Sequence, residues 1–169
     1  MSATLTQKKV LKGGEFLVKN TSHQELFIPE EFNEEQLMIK ETVKTFVRQD
    51  ILPFTERIEK LEDGLIPSRL DIFASLGLLG THMPEEYGGS HLDYITNTLI
   101  GEEVGPSGSF SVSYNAHTGI GMLPILYYGT EEQKNKYLPK LITGELKASY
   151  CLTEPSSGSD ALAAKSTAV

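Results

Sequence analysis

The richest group of chemically useful side chains lies in residues 150–160, where hydroxyl groups and backbone amides surround a glycine. Successive backbone amides in a turn form a concave donor site for anions. Gly158 allows a ligand to approach the main chain closely, and serine hydroxyls can donate to phosphate oxygens. The pattern is therefore compatible with a phosphate-binding turn. A solvated Ser/Gly loop has the same composition, and composition alone favours that second interpretation.

Other catalytic and metal-binding patterns are not supported by the sequence. Cys151 has no histidine nearby in the chain, and the four histidines lack the spacing of metal ligands; they are His23, His82, His91 and His117. Neither of the two common glycine-rich nucleotide motifs occurs. Paired acids such as Glu102 and Glu103 point apart on a helix, so they do not form a catalytic dyad. We therefore predict no metal site and no catalytic residue in this chain.

Helices must position the 150–160 turn, because most of the chain before it has helical spacing. The predicted starts are marked by Asn33, Pro67, Asp93 and Thr130. Asn33 and Thr130 are each followed three residues later by a glutamine, which is the capping-box spacing. Pro53 should kink or end the first helix. Together with one or two helices in the uncharged run 104–130, the pattern predicts five or six helices.

The pattern changes after Gly144. Residues 147–152 have the length and mixed apolar content of a strand, residues 153–160 read as a turn, and residues 165–169 begin to resemble a second strand. We predict a mainly α chain with three parts: an extended arm (1–32), an all-helical domain (33–146) and the first strand or strands of an incomplete β-domain (147–169). A single hairpin is marginal in water, so this ending indicates the front part of a longer protein.

Charge and composition exclude several classes of protein. The net charge is −8, and no Lys or Arg occurs between Leu70 and Gln133, which argues against nucleic-acid binding. The 27 residues from Val104 to Thr130 carry no formal charge, but their serines, glycines and prolines do not suit a transmembrane segment. We expect the run to be buried in protein. The basic N terminus lacks an apolar signal segment, and the lone Cys151 favours a reducing, cytoplasmic location.

The run C-L-T-E-P-S-S-G-S-D-A-L-A at residues 151–163 resembles the first signature of the acyl-CoA dehydrogenase flavoprotein family. Upstream, G-T-E-E-Q-K at 129–134, K-Y-L-P-K-L at 136–141 and P-E-E-Y-G-G at 84–89 resemble the segments that precede that signature in the family. The resemblance covers about residues 33–169. It implies an all-helical N-terminal domain that leads into a β-domain, and it overturns the solvated-loop interpretation.

The resemblance also implies a cofactor and its contacts. FAD would lie against Tyr150, Leu152 and Thr153, with the Thr153 hydroxyl bonded to the flavin ring. Gly158 and Ser159 would approach the FAD pyrophosphate, and Ser159 would also contact the acyl-CoA substrate.

Helices around residues 112–126 would form a wall of the acyl pocket, where Ala116 and Gly119 leave room for a longer chain. Residues 155–159, P-S-S-G-S, together with the arm (1–32), look closest to the long- and very-long-chain branch of the family. Close helix packing is an equally common use of such glycines.

In this family a glutamate removes the α-proton of the thioester and a hydride passes to flavin, which gives a trans-2-enoyl-CoA in fatty-acid β-oxidation. That glutamate lies far downstream, so Glu154 is not expected to take its role and the chain alone is expected to be inactive. The resemblance implies an electron-transfer flavoprotein as acceptor and a homotetramer or homodimer when full-length. Two alternatives remain: a non-enzymatic helical interaction module with this fold, and a fragment of an acyl-CoA oxidase.

Overall fold

The computed structural model describes residue 11 and residues 13–167. Seven α-helical segments occur in this described part: α1 (Glu34–Phe46), α2 (Thr55–Glu59), α3 (Leu65–Ser75), α4 (Tyr94–Val104), α5 (Ser109–Asn115), α6 (Leu123–Tyr128) and α7 (Glu131–Ile142). The chain divides into two compact units, Met1–Met38 and Ile39–Val169. The mainly helical fold class is confirmed.

The described part of the first unit consists of short 3₁₀ turns and the start of α1. The turns are Glu15–Leu17, His23–Glu25 and Pro29–Glu31. The carboxylates of Glu25 and Glu31 accept from the backbone amides that begin their own turns, Ser22 at 2.9 Å and Ile28 at 3.1 Å. The predicted arm therefore contains local structure from residue 13 onward, while residues 1–10 and 12 lie outside the described residues.

The predicted helix caps are present. Asn33 Oδ1 accepts from the Gln36 amide at 2.8 Å, and Thr130 Oγ1 accepts from the Gln133 amide at 3.3 Å. Asp93 caps α4 by accepting from the Thr96 amide at 2.8 Å. These bonds satisfy first-turn amides that have no partner inside the helix.

Two details of the helices differ from the prediction. Helix α3 begins at Leu65, two residues before Pro67, because Gly64 takes a left-handed conformation (φ 74°) that turns the chain into the helix. The first helix passes through a π-helical turn at Val47–Ile51 and a 3₁₀ turn at Leu52–Phe54, which holds Pro53, before the short helix α2. The path thus changes around the proline, as predicted.

Two apolar clusters form the core of the second unit. The larger joins α1, α3, α4 and α5 around Phe73, whose ring centroid lies 4.8 Å from that of Phe46 and 5.8 Å from that of Phe110. The smaller is formed by Met83, Tyr87, Met122, Leu138, Leu141 and Ile142.

The uncharged run 104–130 is only partly buried, so that prediction is corrected. Phe110, Tyr114 and Met122 lie in the core, whereas Val112, Ile120, Tyr127 and Tyr128 are exposed, Tyr128 to 88%. The run forms α5, a π-helical turn at Ala116–Gly121, and α6. An amphipathic helical pair places only one side in the core, and the absence of charge did not reveal which residues face outward. In the described part of the chain, no helix has the length and apolar character required to cross a membrane.

The strand predicted at residues 147–152 is wrong. Residues 147–153 have no regular secondary structure, and the β pairing found among the described residues is a single bridge between Glu154 and Ser157. A strand needs a neighbouring strand to receive its hydrogen bonds, and here the Ala148 amide donates to a histidine side chain. Residues 165–167 likewise form no strand, and residues 168–169 lie outside the described residues.

Candidate functional site

An apolar groove of about 390 Å³ brings together two parts of the chain that the sequence had linked to ligands. Gly119, a predicted acyl-wall residue, and Tyr150, a predicted flavin neighbour, both line it. The remaining walls come from Ile120, Leu123, Pro124, Tyr127 and Tyr128. Three exposed residues of the uncharged run, Ile120, Tyr127 and Tyr128, therefore form one open surface with Tyr150. Its apolar walls suit an apolar or aromatic ligand group.

The other predicted site residues lie outside this lining. Ala116 is half-buried in the π-helical turn, one turn before Ile120. Leu152, Thr153, Gly158 and Ser159 follow Tyr150 along the chain and are exposed. The groove thus joins Tyr150 to Gly119, and the other five residues lie outside it. Ala116 is three positions before Gly119, and the four exposed residues follow Tyr150 within nine positions.

The position of Tyr150 depends on a contact two residues earlier, at Ala148. The Ala148 amide donates to Nδ1 of His117 at 3.0 Å. Gly121 lies directly beneath, because a Cβ added there would fall 2.5 Å from the Ala148 Cβ. Lys147 pairs with Asp71 and also donates to the Gly144 carbonyl at 2.6 Å. Side chains from the helices therefore fix residues 147–148 immediately before Tyr150.

His117 is fully used as a hydrogen-bonding group. It is 1% exposed, and its Nε2 lies 3.0 Å from the Leu141 carbonyl at the end of α7. Because the Ala148 amide is a donor, Nδ1 must accept, so the proton is on Nε2, which donates to Leu141. Burial lowers the pKa of His117, the Lys147 ammonium lowers it further, and the bond to Leu141 opposes the shift. The neutral imidazole is thus the favoured form.

The loop after Tyr150 is a compact turn. Glu154 and Ser157 exchange backbone hydrogen bonds of 2.9 and 3.1 Å. The Ser157 hydroxyl donates to the Asp160 carbonyl at 2.7 Å and is buried. A Cβ added at Gly158 would meet no heavy atom within 4 Å. Gly158 and Ser159 therefore lie on an open side of the turn, while Ser157 holds its interior.

Glu154 anchors the loop. Its carboxylate accepts from the backbone amides of Lys165 at 2.7 Å and Ser166 at 3.0 Å. These hydrogen bonds hold the pKa of Glu154 below its usual range, and the bond from the Lys165 amide has the largest effect. A general base works best with a pKa near the working pH, and the lowered pKa moves Glu154 away from that range. That Glu154 is not the base stays a prediction.

A second, more enclosed cavity of about 510 Å³ was not predicted. It lies beside the start of α4 and is lined by His82, His91, Leu92, Asp93, Tyr94, Asn97, Leu123 and Tyr127. Burial lowers the pKa of His82. Among the residues that the structure describes, no group of three His, Cys, Asp or Glu side chains is arranged to hold a metal ion. This cavity was not apparent from the sequence because its walls come from three separated segments.

Comparison with known families decides the relationship. The family model for the acyl-CoA dehydrogenase N-terminal domain matches residues 33–145, which is most of the chain. The chain belongs to the acyl-CoA dehydrogenase family. The segment that resembles the family signature, residues 151–163, begins six positions after the end of the matched region.

Individual relatives agree with this membership. A probable acyl-CoA dehydrogenase of Bacillus subtilis is 50% identical over 160 residues, which are 95% of this chain and 27% of that protein. Mitochondrial isovaleryl-CoA dehydrogenase of Solanum tuberosum is 38% identical over 138 residues, 79% of this chain and 33% of that protein. An acyl-CoA dehydrogenase of Bacillus anthracis, crystallised with FAD, has a TM-score of 0.85 at 47% identity, covering 92% of this chain and 27% of its own.

The chain therefore spans about a quarter to a third of the length of these relatives. Their names identify oxidoreductases that act on acyl-CoA, and the Solanum enzyme is named for a branched-chain substrate. The fold and the family of this chain are thus shown.

Proposed function

We propose that this chain supplies one wall of the acyl pocket and one edge of the flavin site of an FAD-dependent acyl-CoA dehydrogenase. The reaction removes a proton and a hydride from the acyl thioester and leaves a trans-2-enoyl-CoA, and FAD when bound supplies the hydride acceptor. The general base would come from residues that are not part of this sequence, so the 169 residues alone would not turn over substrate.

The observation that carries this proposal is the groove shared by Gly119 and Tyr150. One residue was predicted to border the acyl chain and the other the flavin, and they are 31 positions apart in the sequence. The reaction requires the acyl group and the flavin ring to be adjacent, because hydride passes between them. A common apolar groove for the two residues supports that arrangement.

The loop residues suit the polar parts of the ligands. Thr153 and Ser159 present hydroxyl groups on exposed positions, and Gly158 has open space where a side chain would be. A pyrophosphate can approach such a glycine, and hydroxyls can donate to its oxygens. We assign Tyr150, Leu152 and Thr153 to the flavin ring, Gly158 and Ser159 to the pyrophosphate, and Ser159 also to acyl-CoA.

The substrate class and partners are further parts of the proposal. Gly119 has no heavy atom within 4 Å of an added Cβ, so the groove has room for a long acyl chain beside it. We propose long- or very-long-chain fatty acyl-CoA as substrate in β-oxidation, with Ala116 next to Gly119 on the acyl wall. The proposed acceptor is an electron-transfer flavoprotein, and the proposed full-length enzyme is a cytoplasmic homotetramer or homodimer.

The test uses a hybrid enzyme in which this chain replaces the matching part of the Bacillus anthracis dehydrogenase. We expect the purified hybrid to hold FAD and to reduce it with long-chain acyl-CoA. Thr153→Ala and Ser159→Ala should each weaken FAD binding or slow flavin reduction about fivefold, because each removes one ligand hydrogen bond. Ser156→Ala, an exposed serine in the same loop, is the matched control and should change neither quantity.

Four outcomes would contradict the proposal. A hybrid that shows native circular dichroism but holds no FAD would favour the non-enzymatic module. Wild-type behaviour of both the Thr153 and Ser159 variants would show that the site is wrongly placed. Turnover by the 169-residue chain alone, with FAD and an artificial acceptor, would show that the base lies within it. Reoxidation by oxygen faster than by an electron-transfer flavoprotein would favour an oxidase.

A further inference from the structure

His117 lies between the helices and the segment that enters the candidate site, and neither the family match nor the reaction assigns it a role. Its two ring nitrogens bond to backbone groups 24 and 31 residues away, the Leu141 carbonyl and the Ala148 amide. We propose that neutral His117 is the positioning residue that fixes the segment beginning at Ala148, and that protonation of its Nδ1 releases this segment. The link to flavin chemistry rests on the proposed function, whereas the positioning itself does not.

The geometry allows only one tautomer. Ala148 contributes an N–H donor, so Nδ1 must offer a lone pair, and Leu141 contributes a carbonyl acceptor, so Nε2 must carry the hydrogen. A proton added to Nδ1 would place two donors against each other at the present 3.0 Å separation. The Ala148 bond is therefore lost when the imidazole becomes charged.

The contacts around His117 confine the effect of its protonation to the segment that begins at Ala148. Gly121 contacts Ala148 so closely that an added Cβ would lie 3.2 Å from the Ala148 carbonyl carbon. Among the described residues, Lys147 is the charged group that acts on the imidazole, and its ammonium pairs with Asp71 of α3. The Leu141 bond to Nε2 survives protonation, because Nε2 remains a donor. Release therefore affects the Ala148 side and leaves the α7 side attached.

The consequence for the site follows from distance along the chain. Tyr150, which lines the apolar groove, is two residues after Ala148, and Thr153 is five residues after it. In the part of the chain that the structure describes, residues 149–153 belong to no helix and no strand. The His117 and Gly121 contacts at Ala148 are thus the last interior anchors before these residues.

The direction of the pH dependence follows from burial. The pKa of His117 is lowered from 6.5 in the folded chain, mainly by burial. The segment that begins at Ala148 should therefore be held above pH 6.5. It should be released as the pH falls through the lowered pKa of His117 in the folded chain. His82 is a second half-buried histidine whose pKa is lowered by burial, so global stability also falls in this range. A residue-specific measurement is therefore required.

The experiment measures amide hydrogen exchange by NMR on the 169-residue chain without flavin. Each rate is corrected for the intrinsic pH dependence of exchange. We expect protection of the Ala148 amide to fall about tenfold as His117 is protonated, which corresponds to one hydrogen bond. The Thr143 amide, which donates to the Pro139 carbonyl at 3.1 Å in the last turn of α7, is the internal control and should stay protected.

Two variants separate the two nitrogens. Asparagine can place an acceptor near the Nδ1 position, and glutamine can place a donor near the Nε2 position. His117→Asn should therefore keep the Ala148 amide protected at pH 5 and at pH 7.5, without a transition. His117→Gln should leave Ala148 unprotected at both pH values while Thr143 stays protected. The ¹⁵N shifts of the wild-type imidazole should show the Nε2–H tautomer.

An Nδ1–H tautomer, or titration of His117 with no change at Ala148, would overturn the proposal. If His117→Gln fails to fold, the wild-type titration still decides. Because no flavin is present, failure of FAD binding would leave these results unchanged. In the hybrid enzyme, the fraction of bound FAD should fall in acid for the wild type and stay level for His117→Asn. If bound FAD depends on pH in the same way in the wild type and in His117→Asn, the position of this segment does not affect flavin binding.

Discussion

At the scale of single residues, two glycines of the uncharged run have different surroundings. Gly121 is required for packing, because a Cβ there would come within 2.5 Å of the Ala148 Cβ and 2.9 Å of the Ala116 carbonyl oxygen. Gly119 faces open space at the apolar groove instead. The sequence left close packing and ligand space as alternatives for Gly119, and the structure shows no neighbour that would require a glycine there for packing.

These two glycines give a matched pair of substitutions. Gly121→Ala should lower the free energy of unfolding by about 1–3 kcal/mol, because the added methyl overlaps with the backbone and with Ala148. Gly119→Ala should change it by less than about 1 kcal/mol, in the stabilising direction, because alanine restricts the unfolded chain and meets no neighbour. Urea unfolding followed by circular dichroism measures both. Equal destabilisation would contradict the distinction between the two positions.

At the scale of elements, the helix starts are set by side chains that are adjacent in sequence. Asp93 has the strongest of these caps, because one carboxylate oxygen accepts from the Thr96 amide at 2.8 Å and the other from the Thr96 hydroxyl at 2.9 Å. Thr130 makes a longer bond of 3.3 Å to the Gln133 amide. Helix α4 places Leu99, Ile100 and Val104 in the core. Loss of the Asp93 cap would therefore destabilise a helix that contributes to the core.

The difference between these two caps is measurable. Asp93→Ala should cost about 1–2 kcal/mol of unfolding free energy, and Thr130→Ala about 0.5–1 kcal/mol, because a charged cap with two short bonds is replaced in the first case. Thermal and urea unfolding of the two variants against the wild type provide the comparison. Asp93→Asn is the control, since asparagine caps helices nearly as well and should recover most of the loss.

The sequence predicted these caps because each depends on residues three positions apart. The same holds for the turn at residues 153–160, whose backbone bonds join Glu154 to Ser157. Residues 147–152 were mistaken for a strand because strand pairing depends on residues far away in the chain, and here the Ala148 amide bonds to His117 instead. The sequence showed only that His117 lacks the spacing of a metal ligand, and its two backbone partners, 24 and 31 residues away, were beyond the reach of any local pattern.

The apolar groove shows the same limit at the candidate site. Sequence resemblance selected Gly119 and Tyr150 for separate reasons, and only the packing of residues 147–148 against the helices brings them to one surface. The exposed face of α6, which completes that surface with Tyr127 and Tyr128, was expected to be buried. An uncharged composition suits a buried helix and a ligand-facing helix equally well.

At the scale of the whole molecule, stability depends on how the two clusters of the second unit are connected. The chain from α5 to α6 contributes to both, because Phe110 and Tyr114 lie in the larger cluster and Met122 in the smaller one. A continuous segment of only 13 residues thus joins the two. We infer that the clusters unfold together, since neither can lose its part of this segment without disturbing the other.

Phe73 offers the sharpest test of this cooperativity. It is fully buried, and its ring contacts Phe46, Phe110 and Tyr114, with centroid separations of 4.8, 5.8 and 5.0 Å. Phe73→Ala should cost about 3–5 kcal/mol through lost burial and a residual cavity. Leu162→Ala, at a side chain that is 98% exposed, is the control and should change the free energy of unfolding by less than about 0.5 kcal/mol.

The test compares how far the urea midpoint falls at a probe in each of the two clusters. If the clusters form one cooperative unit, Phe73→Ala should lower the urea midpoint at the Met122 methyl group, observed by NMR, as much as at the Tyr114 ring. Met122→Ala, which removes a buried side chain from the smaller cluster, should likewise lower the midpoint at both probes. A Met122 signal that keeps its wild-type midpoint in Phe73→Ala would mean that the smaller cluster, with the His117 contact beside it, folds independently.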